Sequence, residues 1–447
     1  MSGFSKRLTL ADLVLIGAGG AIGSGIFRSP SQVAAALPST GWDLAAWGLG
    51  GLLTLAGALT FAELGAAMPR AGGQYVWLSE AYVSLVGFLH GWAYFLVVAT
   101  GAIAALAIVF AEYVGFFVPM GAVATRVVAM GALAVLAVVN IVGVRAAANV
   151  GGALTILKLG ALLGIVVLGL LAGAGAAAEP HTIVAADPHA VTASGAGAAA
   201  GMGAAMIGVL WSYGGWQHAS FAAGEAQRPE RNVPLAMILG TAIITAAYLL
   251  ANVAYIRLLP PSVLTTSPHV ASDAVQAAVG HVGGAAVAAA VAASAIGTAG
   301  IFTLTTPRVY WAMAERGLFF RGVADLHPVW RTPVRAIVLQ TAWAMVLVVA
   351  WGTFERIIGY VLFVDWIFFG LTGAAVFVMR RREGGPPVGY RVPGYPFVPL
   401  AFVVTSAWFI ASTLRAQPVQ AVAGAGLLCV GAIVHRFWSR RSRAAAR

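Results

Sequence analysis

Long apolar stretches recur throughout this sequence, and they constrain its fold more than any other feature. Each holds about 20 residues, the length of α-helix that crosses the hydrocarbon core of a bilayer. The chain is 60% hydrophobic and only 9% charged, whereas soluble domains are about 25% charged. We therefore predict an all-α integral membrane protein with twelve transmembrane helices. The predicted spans are 8–36, 42–66, 84–113, 122–142, 152–174, 200–223, 234–258, 274–304, 334–352, 355–379, 396–414 and 418–437.

Positive charges lie mainly on one side of the predicted membrane. Twelve spans place both termini on the same side, and 20 of the 26 lysines and arginines belong to that side. Four lie on the other side, and Arg28 and Lys158 lie within spans. Because cytoplasmic loops are enriched in lysine and arginine, we expect both termini in the cytoplasm. The same distribution accounts for the net charge of +11 without a nucleic-acid partner.

The first span contains the most unusual local sequence, IGAGGAIGSGIFRSP from Ile16 to Pro30. Each glycine costs about 1 kcal/mol relative to alanine in a helix interior, so the segment is either a close packing face or a break. The triplet Gly23-Ser24-Gly25 favours a break, which membranes tolerate only where the backbone is buried in protein or lines a wet cavity. No cleavable signal peptide is predicted, because this stretch is too long and lacks a small-residue cleavage site.

A second glycine pair interrupts the sixth predicted span, in the sequence WSYGGW from Trp211 to Trp216. Interrupted helices at corresponding positions of the two halves of a chain indicate the binding site of a secondary transporter. Aromatic residues at helical spacing usually serve packing. Because Trp211, Tyr213 and Trp216 adjoin the glycines, we predict that at least one of them forms a pocket wall or gate.

Lys158 is the most informative ionisable residue, because it lies near the middle of the fifth predicted span. A cation at that depth costs about 2.5–3.5 kcal/mol on insertion scales and faces the protein interior by default. A lysine that loses its proton would couple transport to protons, whereas one that stays charged would replace a bound sodium ion. Snorkelling to the interface is the structural alternative. Ser294 and Thr298, one turn apart on span eight, either face Lys158 or bond backbone carbonyls.

Two acidic residues have both a structural and a functional interpretation. Glu63 lies close to the membrane edge, and we predict that it pairs with a cytoplasmic arginine, since intramembrane acids nearly always find partners. Asp365, in span ten, either binds a substrate ammonium group or pairs within the bundle. For Asp365 we favour structural pairing.

Motifs for catalysis and nucleotide hydrolysis are absent from the sequence. It has no His-Glu-x-x-His pattern and no glycine-rich phosphate loop followed by Lys-Ser or Lys-Thr. His181, Asp187 and His189 in the loop 175–199 are weak evidence for a metal site. We therefore predict a protein that is not an enzyme and that has no catalytic residues, no metal and no cofactor.

A proline- and glycine-rich link, 384–399, follows span ten and is the best candidate domain boundary. We predict a ten-helix transport core over 1–383, with one repeat at about 8–174 and a second at about 200–379. Residues 384–447 then form the link, the last two spans and a basic cytoplasmic tail.

Several motifs together resemble the amino acid–polyamine–organocation superfamily, close to the L-type amino acid transporters and the bacterial serine/threonine exchangers. The resemblance runs from about residue 5 to 437, and the order and spacing of the motifs are more specific than any one of them. The motifs are Gly23-Ser-Gly-Ile-Phe27, Ala62-Glu-Leu64, Pro69-Arg-Ala-Gly-Gly73, Tyr213-Gly-Gly-Trp216, Asn232-Val-Pro234, Arg308 with Ala312-Met-Ala-Glu-Arg-Gly317, and Tyr390-Arg-Val-Pro-Gly-Tyr395.

The resemblance implies the leucine-transporter fold, in which two inverted five-helix repeats carry unwound helices 1 and 6, followed here by two C-terminal helices. The substrate carboxylate would meet the amides of Ser24 and Gly25, at the positive end of a half-helix. The ammonium would meet the carbonyls of Ala21, Trp211 and Gly214. The predicted substrate-binding residues are Ala21, Ile22, Gly23, Ser24, Gly25, Trp211, Gly214 and Gly215.

Lys158 matches a family lysine that stands where sodium sits in sodium-coupled relatives, so the resemblance implies sodium-independent transport. We assign coupling to Lys158, Ser294 and Thr298. The predicted function is secondary transport of neutral L-amino acids by alternating access, with exchange favoured over proton symport. A sensor or a channel on the same scaffold is the alternative from another class. Many L-type members have phenylalanine in place of Trp211, and the larger ring here would shrink the pocket or alter the gate.

Location and partners are the remaining predictions. The composition fits a bacterial inner membrane, with the lipid bilayer and amino acid substrates as partners. Heavy chains of animal L-type relatives attach through an external cysteine. The one cysteine here, Cys429, lies in the last span, so no disulfide-linked heavy chain is expected.

Overall fold

The computed structural model describes residues 4–172, 195–351, 354–382, 389–416 and 418–445. Within these ranges the regular structure is helical, apart from one isolated parallel bridge between Leu8 and Ala226. The α-helices are α1 Leu10–Ala21, α2 Gly25–Ala36, α3 Thr40–Ala67, α4 Gln74–Ala81, α5 Ser84–Ala93, α6 Ala99–Gly115, α7 Ala122–Val142, α8 Val144–Leu171, α9 Gly195–Tyr213, α10 His218–Phe221, α11 Pro229–Leu258, α12 Pro261–Leu264, α13 Val270–Val279, α14 His281–Thr305, α15 Pro307–Glu315, α16 Val334–Trp351, α17 Phe354–Arg381, α18 Phe397–Ala416 and α19 Pro418–Ala445. A π-helical turn, Tyr94–Val98, joins α5 to α6.

Ten helical segments in the described part of the chain are long and apolar enough to cross a membrane. They are Leu10–Ala36, Thr40–Ala67, Ser84–Gly115, Ala122–Val142, Val144–Leu171, Pro229–Leu258, His281–Glu315, Val361–Arg381, Phe397–Arg415 and Ala421–Ser439. In the two other predicted spans, 200–223 and 334–352, the described apolar helices are shorter, Gly201–Tyr213 and Val334–Ala350. The chain is therefore a multi-pass membrane protein, and the number of twelve spans stays a prediction.

The start of span eight differs from the prediction because of one glycine. The sequence predicts a continuous span from residue 274, but α13 ends at Val279 and α14 begins at His281. Gly280 between them has a φ of +81°, which a residue without a Cβ adopts at little cost. The chain therefore changes direction inside the predicted span.

The helices that carry the two glycine-rich segments lie inside the bundle. The α1 helix packs against α8, α11 and α14, whereas α2 packs against α9. The outer helices carry exposed apolar side chains such as Val123 on α7 and Leu163 on α8. Because such side chains suit a lipid environment, the arrangement leaves the interrupted helices surrounded by protein.

Glu63 pairs with an arginine, as predicted. Both of its oxygens accept hydrogen bonds from the Arg380 guanidinium, at 2.7 and 2.6 Å. The backbone amide of Val392 also donates to Glu63, at 2.7 Å. The carboxylate therefore joins α3 to α17 and to the segment that leads into α18.

A second buried ion pair joins Glu225, just before α11, to Arg308 on α15. The guanidinium donates two hydrogen bonds of 2.9 Å to the two carboxylate oxygens, and the side chains are 2% and 0% exposed, respectively. The carbonyl of Glu225 accepts from the amides of Arg7 and Leu8, each at 2.9 Å. This pair therefore fastens the N-terminal segment and the end of the sixth span to the end of the eighth.

Candidate functional site

The two interrupted spans meet backbone to backbone. Gly215 has a φ of +111°, and a Cβ there would lie 2.3 Å from the carbonyl oxygen of Gly20. A Cβ on Gly20 would lie 2.8 Å from the carbonyl oxygen of Gly215. The α1 helix ends at Ala21 and α2 begins at Gly25. The two interpretations of the glycines, a break and close packing, therefore both hold.

A cavity of about 50 Å³ lies against both breaks. This volume is enough for about three water molecules at roughly 15 Å³ each, so an amino acid would enter only if the walls moved apart. The rest of the lining is mainly apolar and includes Phe302 from α14 and Phe369 from α17. Three polar side chains reach the cavity away from the first break: Tyr94, Gln217 and Asp365.

Most of the predicted substrate-binding residues line this one cavity. They are Ala21, Gly23, Ser24, Gly25, Trp211, Gly214 and Gly215. Ile22 is the exception, because it does not line the cavity and its side chain is fully buried. Its carbonyl instead points to the lysine described next.

The Lys158 ammonium is held by the end of α1. It donates to the carbonyl oxygens of Gly19 at 2.7 Å and Ile22 at 2.5 Å, and to the Thr298 hydroxyl at 2.7 Å. The side chain is fully buried, which excludes snorkelling in this structure. A cation is favoured there, because the C-terminal end of a helix is its negative pole. The ammonium thus satisfies carbonyls that the break leaves without helical partners.

Ser294 and Thr298 complete this arrangement from α14. The Ser294 hydroxyl lies 3.1 Å from the carbonyls of Ile22 and Gly23. The Thr298 hydroxyl lies 2.8 Å from the Gly19 carbonyl and 2.9 Å from that of Ile22. Thr298 fulfils both predicted alternatives, because its hydroxyl contacts the Lys158 ammonium and also the backbone carbonyls at the break.

Tyr248 on α11 joins the two breaks, and the sequence did not single it out. Its hydroxyl lies 3.0 Å from the Ala21 carbonyl and 2.9 Å from that of Ser212. The Ala21 carbonyl also accepts from the amide of Gly23, at 2.7 Å. The sequence signal that could have found Tyr248 is its hydroxyl group in the middle of an apolar span.

The start of α2 faces the cavity with unsatisfied polar groups. The first amides of any helix lack intrahelical acceptors, and they form its positive pole. The Ser24 hydroxyl is buried and has no hydrogen-bond partner among the described residues. This end of the cavity therefore suits an anionic group.

Only one of the three predicted wall or gate residues lines the cavity, namely Trp211. Tyr213 is buried against Trp47 and Tyr248, with ring centroids 6.1 and 5.0 Å away. Trp216 packs 4.9 Å from the Phe61 ring. For Tyr213 and Trp216 the structure thus shows core packing rather than a wall position.

Asp365 corrects one prediction. Structural pairing within the bundle was favoured, but no ion pair joins Asp365 to any residue of the described segments. Its Oδ1 is buried and has no hydrogen-bond partner there. The side chain instead lines the same cavity as the two breaks.

No metal site is formed by the part of the chain that the structure describes, where no three His, Cys, Asp or Glu side chains cluster suitably. The weak candidates His181, Asp187 and His189 lie outside the described residues. The chemistry available at the cavity is therefore that of backbone amides and carbonyls, hydroxyl and amide side chains and the carboxyl group of Asp365.

Comparison with known proteins gives consistent results along nearly the whole chain. The sequence pattern of a family described as amino acid permease matches residues 8–434. The serine/threonine exchanger SteT of Bacillus subtilis (strain 168) is 33% identical over 92% of each chain. The b(0,+)-type amino acid transporter 1 of Homo sapiens is 29% identical over 92% of this chain and 83% of its own. The cystine/glutamate transporter of Homo sapiens is 27% identical over 98% and 87%, respectively.

Proposed function

Because the chain belongs to the amino acid permease family, we propose that it is a sodium-independent secondary transporter that exchanges neutral L-amino acids by alternating access. The observation that carries this proposal is the position of the Lys158 ammonium among oxygens of Gly19, Ile22 and Thr298. A sodium ion at the end of α1 would need the same oxygens. Exchange is supported by SteT, whose name describes an exchanger.

The fold we propose is the leucine-transporter fold, with inverted repeats at about 8–174 and 200–379 within a core over 1–383. The interrupted helices support it, because the α1–α2 break opens the first repeat and the α9–α10 break opens the second. Residues 384–447 would be the link, two additional helices and the tail. In this fold the repeats rock around a fixed site at the breaks.

The proposed site holds the substrate between the two breaks. The amides of Ser24 and Gly25 would take its carboxylate, at the positive end of α2. The carbonyls of Ala21, Trp211 and Gly214 would take its ammonium group. Their common position on one cavity supports this assignment, and so does the contracted volume, because alternating access requires the walls to move.

Uptake into proteoliposomes tests the function. We expect labelled L-serine, L-alanine or L-leucine to enter vesicles loaded with unlabelled amino acid at least about tenfold faster than empty ones. Replacing sodium by choline is expected to leave the rate unchanged. If an inward proton gradient drives uptake into empty vesicles, the protein is a proton symporter rather than an exchanger. Saturable binding without flux would indicate a sensor, and flux without saturation a channel.

We also propose a bacterial inner membrane location with both termini in the cytoplasm, supported by the distribution of arginines. In a Cys429→Ala background, a Lys6→Cys variant should resist a membrane-impermeant maleimide in intact spheroplasts and react after permeabilisation. A Ser262→Cys variant, in the exposed segment after α11, should react in both. The reverse pattern would invert the topology. Cys429, the one cysteine, lies within the segment Ala421–Ser439, so we propose no disulfide-linked heavy chain.

A further inference from the structure

The carboxylate of Asp365 is the cavity group that the proposed function leaves unused. It lies on α17 and lines the same cavity as the two breaks, and its Oδ1 is buried without a hydrogen-bond partner among the described residues. A buried polar group without a partner is costly, and an ionisable one inside the membrane is a functional-site candidate by default. The missing partner is therefore expected to be a ligand.

The surroundings of Asp365 narrow the kind of ligand. No lysine or arginine lines the cavity in the part of the chain that the structure describes, so no protein cation competes for the carboxylate. The cavity lining also includes Phe302, Leu362 and Phe369, which offer apolar contact only, and the polar side chains of Tyr94 and Gln217. A ligand group that reaches Asp365 thus meets a carboxyl oxygen that has no hydrogen-bond partner among the described residues.

We infer that Asp365 selects substrates whose short side chain carries a hydrogen-bond donor, a hydroxyl or an amine. This inference rests on the proposed function, in which the breaks hold the substrate's carboxylate and ammonium groups, and it adds that the substrate's side chain extends to Asp365. A purely aliphatic side chain leaves the Asp365 oxygen unpaired at a cost in binding.

Threonine and valine give the sharpest test, because they differ by a hydroxyl in place of a methyl group. In loaded proteoliposomes we expect kcat/KM for L-threonine to exceed that for L-valine by about tenfold or more, since a site built around a hydrogen bond rejects the analogue that lacks it. In Asp365→Leu the ratio should fall to about one while valine transport continues. An unchanged ratio in this variant would overturn the inference.

A second acid in the bundle provides the matched control. Asp43 on α3 is also buried and does not line the cavity, so Asp43→Leu should keep the threonine-to-valine ratio of the wild type. Equal collapse of the ratio in both variants would also overturn the inference. Where Asp365→Leu fails to reach the membrane, Asp365→Ala decides: the threonine-to-valine ratio is expected to fall at least about threefold, since alanine has no acceptor oxygen, and an unchanged ratio would exclude the role. Wild type that moves neither substrate would overturn the proposed function, whereas equal transport of both would overturn this inference alone.

Discussion

Exchange activity is expected to fall at least about tenfold when Lys158 is replaced by methionine. The ammonium donates to two carbonyls of the first break and to Thr298, and hydrogen bonds from a charged group contribute about 1.5–3 kcal/mol each. Each 1.4 kcal/mol corresponds to a factor of ten in an equilibrium constant. Methionine keeps a flexible apolar stem but leaves those carbonyls without the ammonium, so the geometry of the break is no longer fixed. Initial rates of counterflow at equal protein density measure the loss.

The chain offers a matched control in Lys6, its one other lysine, which lies exposed near the N-terminus. Lys6→Met should transport like the wild type. Full activity of Lys158→Met would show that the ammonium has no role in transport. Lys158→Ala adds a further readout, because it vacates the ammonium position while the oxygens of Gly19, Ile22 and Thr298 remain. Stimulation of this variant by sodium, absent in the wild type, would identify the position as a cation site.

The positions of the breaks and of Lys158 were predictable, because both rest on local signals. A glycine inside an apolar helix costs free energy whatever the fold, and so does a charge inside the membrane. The triplet at Gly23 to Gly25 therefore located the first break, and the depth of Lys158 in its span indicated a buried partner. The pairing of Glu63 with an arginine followed from the same cost of an isolated charge.

What could not be predicted depends on which helix faces which. Buried acids usually have partners, and Asp365 fits this rule only when a ligand is counted as its partner. The sequence does not show that the Asp365 side chain lines the cavity. Tyr213 and Trp216 stand beside the glycines in the sequence, but their rings pack in the core against Tyr248 and Phe61, respectively. Tyr248 is 36 residues or more from the backbone groups it contacts, so no local pattern reports its role.

A large loss of stability is expected when Arg308 is replaced by methionine. The guanidinium is fully buried and donates to both oxygens of Glu225 and to the carbonyl of Leu304. Removing one partner of a buried pair leaves an uncompensated charge, which typically costs 3–5 kcal/mol. We expect a melting temperature in detergent several degrees below that of the wild type and lower abundance in the membrane. A matched exposed pair is Arg335 with Asp325, whose side chains are 65% and 66% exposed, so Asp325→Asn should change the melting temperature little.

The double variant Glu225→Leu with Arg308→Met separates the pair from the individual side chains. Replacing both members of a buried ion pair by apolar residues often leaves stability unchanged, whereas removing one member lowers it. The double variant should therefore melt at a higher temperature than Arg308→Met. A melting temperature for Arg308→Met equal to that of the wild type would contradict the prediction.

The Glu225–Arg308 pair also bears on transport. Because the backbone carbonyl of Glu225 accepts hydrogen bonds from the amides of Arg7 and Leu8, the pair fastens the N-terminal segment to the sixth and eighth spans. If these spans separate during alternating access, the stable double variant should still exchange substrate at an altered rate, because the transition no longer has to break a buried ion pair.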